Sequence, residues 1–262
     1  MKLVWSPETA SKAYIETVQK CKLSRGSGVP ELISAMAAGW KAKLILETWS
    51  SSSEEGGGGV IETSIGLSIA RKHTCGRHVC IVPNEKSKLE YSQKMGESIT
   101  STEIIVGEAE EIMKDLIEEI DFMVVDCKII RDFVRVLKVA KLSVNGAVLV
   151  CKNASLRSGN FKWENVVLVE EESRRVVRSV FLPVGMGVDI AHVSAVGGNL
   201  GKDGSGRRNK RWIKHVDQRS GEMHKKKKKK KQLHRTCFNT FMINLLLFSA
   251  AVFRDANTEP TQ

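Results

Sequence analysis

Residues 79–126, VCIVPNEKSKLEYSQKMGESITSTEIIVGEAEEIMKDLIEEIDFMVVD, change period four times, and those changes decide the fold. Val79-Cys80-Ile81-Val82, Ile104-Ile105-Val106 and Phe122-Met123-Val124-Val125 are short unbroken apolar runs, the pattern of strands buried on both faces. Between them, Glu85 to Met95 and the stripe Ala109, Ile112, Met113, Leu116, Ile117 carry helical spacing. Strand and helix alternate, so the strands pair in parallel with helices crossing over them.

The same alternation extends in each direction. Leu44-Ile45-Leu46 is a preceding strand, and Ile61, Ile65 and Ile69 mark its helix. Phe133, Val136, Leu137 and Ala140 mark a later helix, followed by the strand Ala147-Val148-Leu149-Val150. Five β-α units predict an α/β fold with helices on both faces of a parallel sheet. Beyond Phe161 the helical period stops. Val166 to Val169, Val176 to Leu182 and Val188 to Val196 read as strands joined by short turns, an antiparallel extension of that sheet. Ahead of it all, Ser6-Pro7 predicts a capped helix start, and Gly28-Val29-Pro30 separates two amphipathic helices within 7–42 that are expected on a sheet edge.

Charge divides the chain. Its net +11 comes from 26 basic and 25 acidic side chains in 1–202 against 15 and 5 in 203–262. A near-neutral body excludes a domain that grips nucleic acid over its whole surface. The expected organisation is one α/β domain, 1–202, and a basic tail, 203–262, without regular structure. In that tail Arg207 to Arg211 and the seven lysines 225–231 could meet nucleic acid, serve as a nuclear signal, meet an anionic membrane surface, or remain solvated. A homopolymeric lysine run reads as an atypical extension from about Met223. The apolar stretch Phe241 to Phe253, 13 residues, falls short of the roughly 17–25 a spanning helix needs. Six cysteines without C-x-x-C pairs, and an N-terminus without a signal peptide's apolar stretch, predict an unsecreted protein of the cytoplasm or nucleus.

Ligands of an open parallel sheet sit at the carboxyl ends of its strands. Those ends read Glu47-Thr48-Trp49, Pro83-Asn84-Glu85, Gly107-Glu108-Ala109, Asp126-Cys127-Lys128 and Cys151-Lys152-Asn153. Acidic groups stand at the first four. The loop from Ser50 to Gly59 is no phosphate cradle: it lacks G-K-[ST], breaks G-x-G-x-x-G, and carries Glu54 and Glu55. It suits a cofactor with a positive centre, or else is a low-complexity insertion. His73, Cys75, His78 and Cys80 span a helix end, a turn and a strand start, so convergence on a metal is not expected. No G-x-S-x-G follows a strand, which disfavours a hydrolase.

Taken together, these strand ends resemble the S-adenosylmethionine-dependent methyltransferase superfamily. The segments 2–10, 31–40 and 77–83 are similar to a plant family of uncharacterised proteins placed in it. The resemblance implies a Rossmann-like methyltransferase fold and S-adenosylmethionine as cofactor. It implies that Glu47 and Thr48 at the first strand and Glu85 at the second hold the amino and ribose groups. It places Gly107, Glu108 and Ala109 near the adenine and Asp126 at the mouth of the site. Among small-molecule O-methyltransferases acting on caffeoyl coenzyme A, an Asp-Asn pair follows the fifth strand; this chain has Lys152-Asn153, and an ammonium there opposes a dication. Pro83 stands where a ribose-binding acid is expected. The implied function is metal-independent methyl transfer to an unidentified small-molecule or protein acceptor; the alternative is an inactive methyltransferase-like binding or scaffold protein.

Overall fold

Pro7 opens helix α1 (Pro7–Lys20), where its missing N–H costs no hydrogen bond. The computed structural model describes residues 5–21, 28–50, 61–127, 133–156, 161–163, 166, 176–196, 212–216 and 223–227. Ser6 has the extended backbone of a cap but makes no side-chain cap bond, contrary to the sequence expectation. Thr9 does the tying instead: its hydroxyl lies 3.1 Å from the Ser6 carbonyl and 3.0 Å from that of Ala38, at the end of helix α2 (Val29–Gly39). Helix α3 (Ile61–Thr74) meets α2 at Gly66, where a Cβ would stand 2.8 Å from the Pro30 carbonyl oxygen. Thr17 Oγ1 donates to Ser34 Oγ at 2.9 Å. The first two helices thus pack on each other and on α3, where small residues let the three backbones approach closely.

The sheet has seven strands: β1 (Leu44–Thr48), β2 (Arg77–Val82), β3 (Thr102–Val106), β4 (Phe122–Asp126), β5 (Ala147–Lys152), β6 (Val176–Leu182) and β7 (Val188–Val193). Their order is β3-β2-β1-β4-β5-β7-β6. The first five are parallel, while β7 runs antiparallel to β5 and β6 antiparallel to β7. Helices α4 (Glu85–Met95), α5 (Ala109–Asp115) and α6 (Phe133–Val139) complete the α/β alternation. The chain winds outward from β1 in one direction, then returns to build β4 on its other side, leaving a switch point between β1 and β4.

Two elements are shorter than their apolar patterns. The α5 stripe stops at Asp115: Leu116 is extended and Ile117 is 83% exposed. Glu118 then pairs with Arg77, and a Glu119 carboxylate oxygen accepts from the Val144 N–H. Strand β7 ends at Val193 rather than Val196. Val166, where a strand is expected, is helical, its N–H bonded to the Trp163 carbonyl at 3.0 Å; the remainder of the stretch 166–169 lies outside the described residues.

Alternation along the strands sorts two faces. One carries Leu44, Leu46, Val79, Ile81, Met123, Val125, Leu149, Cys151, Ala191 and Val193 against Met113 of α5 and Phe133, Val136 and Leu137 of α6. On the other, α4 closes a smaller cluster in which Tyr91 and Met95 meet Trp49, Cys80 and Val82.

The chain divides into two units, Met1–Leu200 and Gly201–Gln262. Within the second, β8 (Trp212–Val216) pairs antiparallel with β9 (Met223–Lys227), a hairpin inside the stretch read from sequence as lacking regular structure. The loop from Ser51 to Gly59, the cluster Arg207 to Arg211, lysines 228–231 and the apolar stretch 241–253 lie outside the described residues. Among the described residues, no helix is long and apolar enough to cross a membrane.

Candidate functional site

Glu47 sits one residue before the end of β1, fully buried. Its Oε1 accepts a 2.9 Å hydrogen bond from the Tyr91 hydroxyl of α4. His78 Nε2 lies 3.1 Å from the same oxygen, close enough to pair but not aligned as a hydrogen bond. Glu47 Oε2 is buried without a hydrogen-bond partner. Burial alone would push this carboxyl up; His78, the Lys152 charge and Ser64 outweigh it and hold it below the usual carboxylate range. The register sets Cys80 beside Glu47, and burial, then the Glu47 charge, raise both the Cys80 thiol and the Tyr91 phenol. His78 Nδ1 pairs with Thr102 Oγ1 of β3 at 3.0 Å.

Thr48 ends β1 with its hydroxyl buried and unpartnered. Trp49 follows, its N–H bonded to the Ile81 carbonyl at 2.9 Å, so the ladder to β2 continues one residue past the strand. Its indole is buried edge-on to Tyr91, centroids 5.2 Å apart, with Lys94 Nζ 5.7 Å from its ring centroid.

Across the switch point, Asp126 and Lys152 end β4 and β5 as register partners, each under 5% exposed. Lys152 Nζ is 3.6 Å from Asp126 Oδ2 and has no hydrogen-bond partner. Asn153 Nδ2 donates to Asp126 Oδ1 at 2.7 Å from a left-handed backbone, φ +56°, a conformation Asn adopts more readily than most non-glycine residues. The Cys127 N–H bonds the Lys152 carbonyl at 3.0 Å and joins the two strand ends. The arrangement leaves one carboxylate oxygen, Glu47 Oε2, and one ammonium, Lys152 Nζ, buried without a hydrogen bond, although the ammonium is ion-paired with Asp126. A zwitterion satisfies such a pair: its cation takes the first, its anion the second.

At the end of β3, Gly107 donates to the Val82 carbonyl at 2.9 Å with φ +146°, which favours glycine. Glu108 caps α5 without a side-chain bond and Ala109 begins the helix. Glu85 is placed differently: it is exposed in the first turn of α4, 3.4 Å from Lys88 Nζ, while Asn84 Oδ1 accepts from the Ser87 N–H. The predicted residues therefore divide. Glu47, Thr48 and Asp126 are buried at neighbouring strand ends, Gly107 to Ala109 form the adjoining turn, and Glu85 faces solvent.

Sequence reading misses the roles of five residues at the site. Tyr91 and Met95 share a helical stripe, which signals a buried face but not its carboxylate partner. In sequence His78 reads as a candidate metal ligand, Lys152 as an obstacle to a dication, and Asn153 as half of a pair. His73 turns to Glu16 of α1, 2.8 Å away, whereas His78 and Cys80 point inward from β2. Among the described residues, no three His, Cys, Asp or Glu side chains group as metal ligands.

A family model described as "Protein of unknown function (DUF1442)" matches residues 1–228, and so takes in β9. A search of curated proteins finds no match. Among solved structures, a methyltransferase from Geobacter sulfurreducens is 19% identical with TM-score 0.47, covering 70% of this chain and 88% of its own. The SAH-bound methyltransferase PaMTH1 of Podospora anserina is 17% identical with TM-score 0.44, covering 71% and 88%.

Proposed function

The chain belongs to the family described as "Protein of unknown function (DUF1442)", and we propose that it binds S-adenosylmethionine as a methyltransferase-like protein. The observation that supports this reading is the pair of buried groups without a hydrogen bond, Glu47 Oε2 in β1 and Lys152 Nζ at the end of β5. The methionine part of the cofactor carries an ammonium and a carboxylate, the two charges such a pair complements. In this reading Glu47 takes the ammonium, Lys152 the carboxylate, and the Thr48 hydroxyl assists. The Gly107-Glu108-Ala109 turn borders the adenine. Glu85 serves the ribose hydroxyls by giving up Lys88, and Asp126 stands at the mouth, oriented by Asn153. The bound cofactor supplies an activated methyl group; the chain's own residues bind and orient it, and Trp49 with Tyr91 keeps water from one wall.

Calorimetric titration of S-adenosylmethionine and S-adenosylhomocysteine into the full chain tests the reading. Saturable binding is expected, weakened about tenfold or more by Lys152→Gln, since a lost hydrogen bond to a charged group costs about 1.5–3 kcal/mol. A chelator should leave binding unchanged, because the Lys152 ammonium stands where a dication would need a carboxylate. If neither ligand releases heat nor raises the melting temperature, the cofactor reading is wrong.

Two observations favour a second reading, an inactive binding or scaffold protein. Glu47 Oε1 is already engaged by Tyr91, and the buried Trp49 indole directly follows the strand where a nucleotide fold turns on glycine. Absence of binding by both ligands selects it. We also place the start of the atypical extension after residue 228, beyond β9; truncation there should leave the melting temperature unchanged.

A further inference from the structure

We infer that a cleft formed by α1, α3 and the 3-10 turn Gly96–Ser101 binds a small phosphate-bearing ligand, independently of the site above. The cleft has a volume of about 290 Å³. The turn leads into the start of β3, so the cleft lies away from the strands' carboxyl ends.

Three cations, Lys20, Arg71 and Lys72, line it against two carboxylates, Glu16 and Glu97. Glu16 is already neutralised: Lys72 Nζ and His73 Nε2 each sit 2.8 Å from one of its oxygens. Arg71 is the unexplained group. Its Nε is buried without a hydrogen-bond partner, and among the described residues its guanidinium has no ion pair. A buried donor left in this way is costly, the more so when charged, and an anion in the cleft would supply its acceptor. Lys20 also has no ion pair among the described residues. Its place in the last turn of α1 suits the helix dipole, but that accounts for Lys20 and not for Arg71.

Hydroxyls complete the wall. Ser68 Oγ and Ser101 Oγ are 2.6 Å apart, and Ser101 Oγ donates to the Ser98 carbonyl at 3.1 Å. A guanidinium fork, a flexible ammonium and rotatable hydroxyls match the tetrahedral oxygens of a phosphoryl group, which Arg binds through paired N–H bonds. Glu97 limits the charge the cleft tolerates, which suits one phosphoryl group better than a polyphosphate.

The test is titration of inorganic phosphate, and separately glycerol phosphate, into the full chain, with sodium chloride at matched ionic strength as control. Phosphate should raise the melting temperature saturably. Arg71→Gln and Lys20→Gln should each weaken binding about tenfold, the effect of losing one charge-assisted hydrogen bond. Lys12→Gln, which alters an exposed lysine paired with Glu8 on the same helix, should leave it unchanged. Tighter binding of glycerol phosphate assigns an ester as the ligand, and tighter binding of the inorganic ion assigns free phosphate; each supports the site. A response no larger than that to chloride overturns it, as does an equal loss in Lys12→Gln. Lys20 is exposed, so its variant keeps the test available if Arg71→Gln does not fold.

Discussion

The two faces of the sheet are made by the same strands, yet they bury opposite kinds of side chain. Against α5 and α6 the face is apolar, and among the described residues its one buried carboxylate, Asp189, accepts a 2.9 Å hydrogen bond from Trp163 Nε1. The opposite face buries Glu47, His78, Asp126, Lys152 and His192. Removing an ion from water costs several kcal/mol that pairing has to repay, whereas apolar burial contributes about 25 cal/mol per Å². One face therefore holds the fold together, and the other carries buried ionisable groups, Glu47, His78, Asp126 and Lys152 nearest the switch point, that stability alone does not call for.

The largest expected effect breaks the apolar face. Leu149→Ala should lose about 4 kcal/mol in urea denaturation, the cost of a cavity beneath α5 and α6, and lose the same at pH 7 and pH 5. A loss below about 1 kcal/mol would show that this face is not the main core.

On the charged face, Glu47→Ala should cost about 3 kcal/mol by stranding the Tyr91 hydroxyl and the His78 ring. Its pH dependence separates the two faces. The folded-state pKa of Glu47 is depressed, so its contribution is present above the unfolded carboxyl value near 4.5 and is lost as pH falls through the lower folded value. The gap between wild type and Glu47→Ala should narrow below about pH 4.5, as the gap for Leu149→Ala does not. A gap that widens on acidification would refute the pairing.

His192 gives a smaller effect in a different window. Its ring lies 4.7 Å from that of Trp40, and burial lowers its pKa from 6.5 to about 4. Below 6.5 the unfolded chain gains a proton that the folded chain refuses, so stability falls between pH 6.5 and 4, by about 2–3 kcal/mol. Comparing His192→Gln with wild type across that range checks it: the variant should lack this slope.

The smallest effect lies outside the comparison and calibrates it. Arg77 bridges Glu103 and Glu118 on the surface, each pair about half exposed. Arg77→Ala should cost under about 1 kcal/mol and nothing measurable in 1 M salt. A loss as large as that of Glu47→Ala would remove the distinction between buried and exposed charge.

The elements themselves were largely legible. Helix α4 and strand β6 have the limits their patterns predict, Glu85–Met95 and Val176–Leu182, since periods of 3.6 and 2 are local properties of the chain. Where legibility failed, a local pattern met a distant group: the α5 stripe ended where Glu118 and Glu119 were drawn to Arg77 and Val144. Among the site residues, Glu47 and Glu85 look alike in sequence, each a carboxylate at a strand end. Only one is buried, because Glu47 lies within β1 under α4 whereas Glu85 begins a helix on its solvent side.

By itself, then, the sequence determined the α/β alternation, the apolar runs that become strands, the five parallel units with an antiparallel extension, and the positions of acidic groups at strand ends. Tertiary structure alone decided that β7 inserts between β5 and β6, that Tyr91 reaches Glu47 across 44 positions of chain, and that Lys152 stands beside Asp126. The physical reason is that alternation fixes which face a side chain takes, while its neighbours on that face depend on which strands share hydrogen bonds and in what register, a choice made by the packing of the whole sheet.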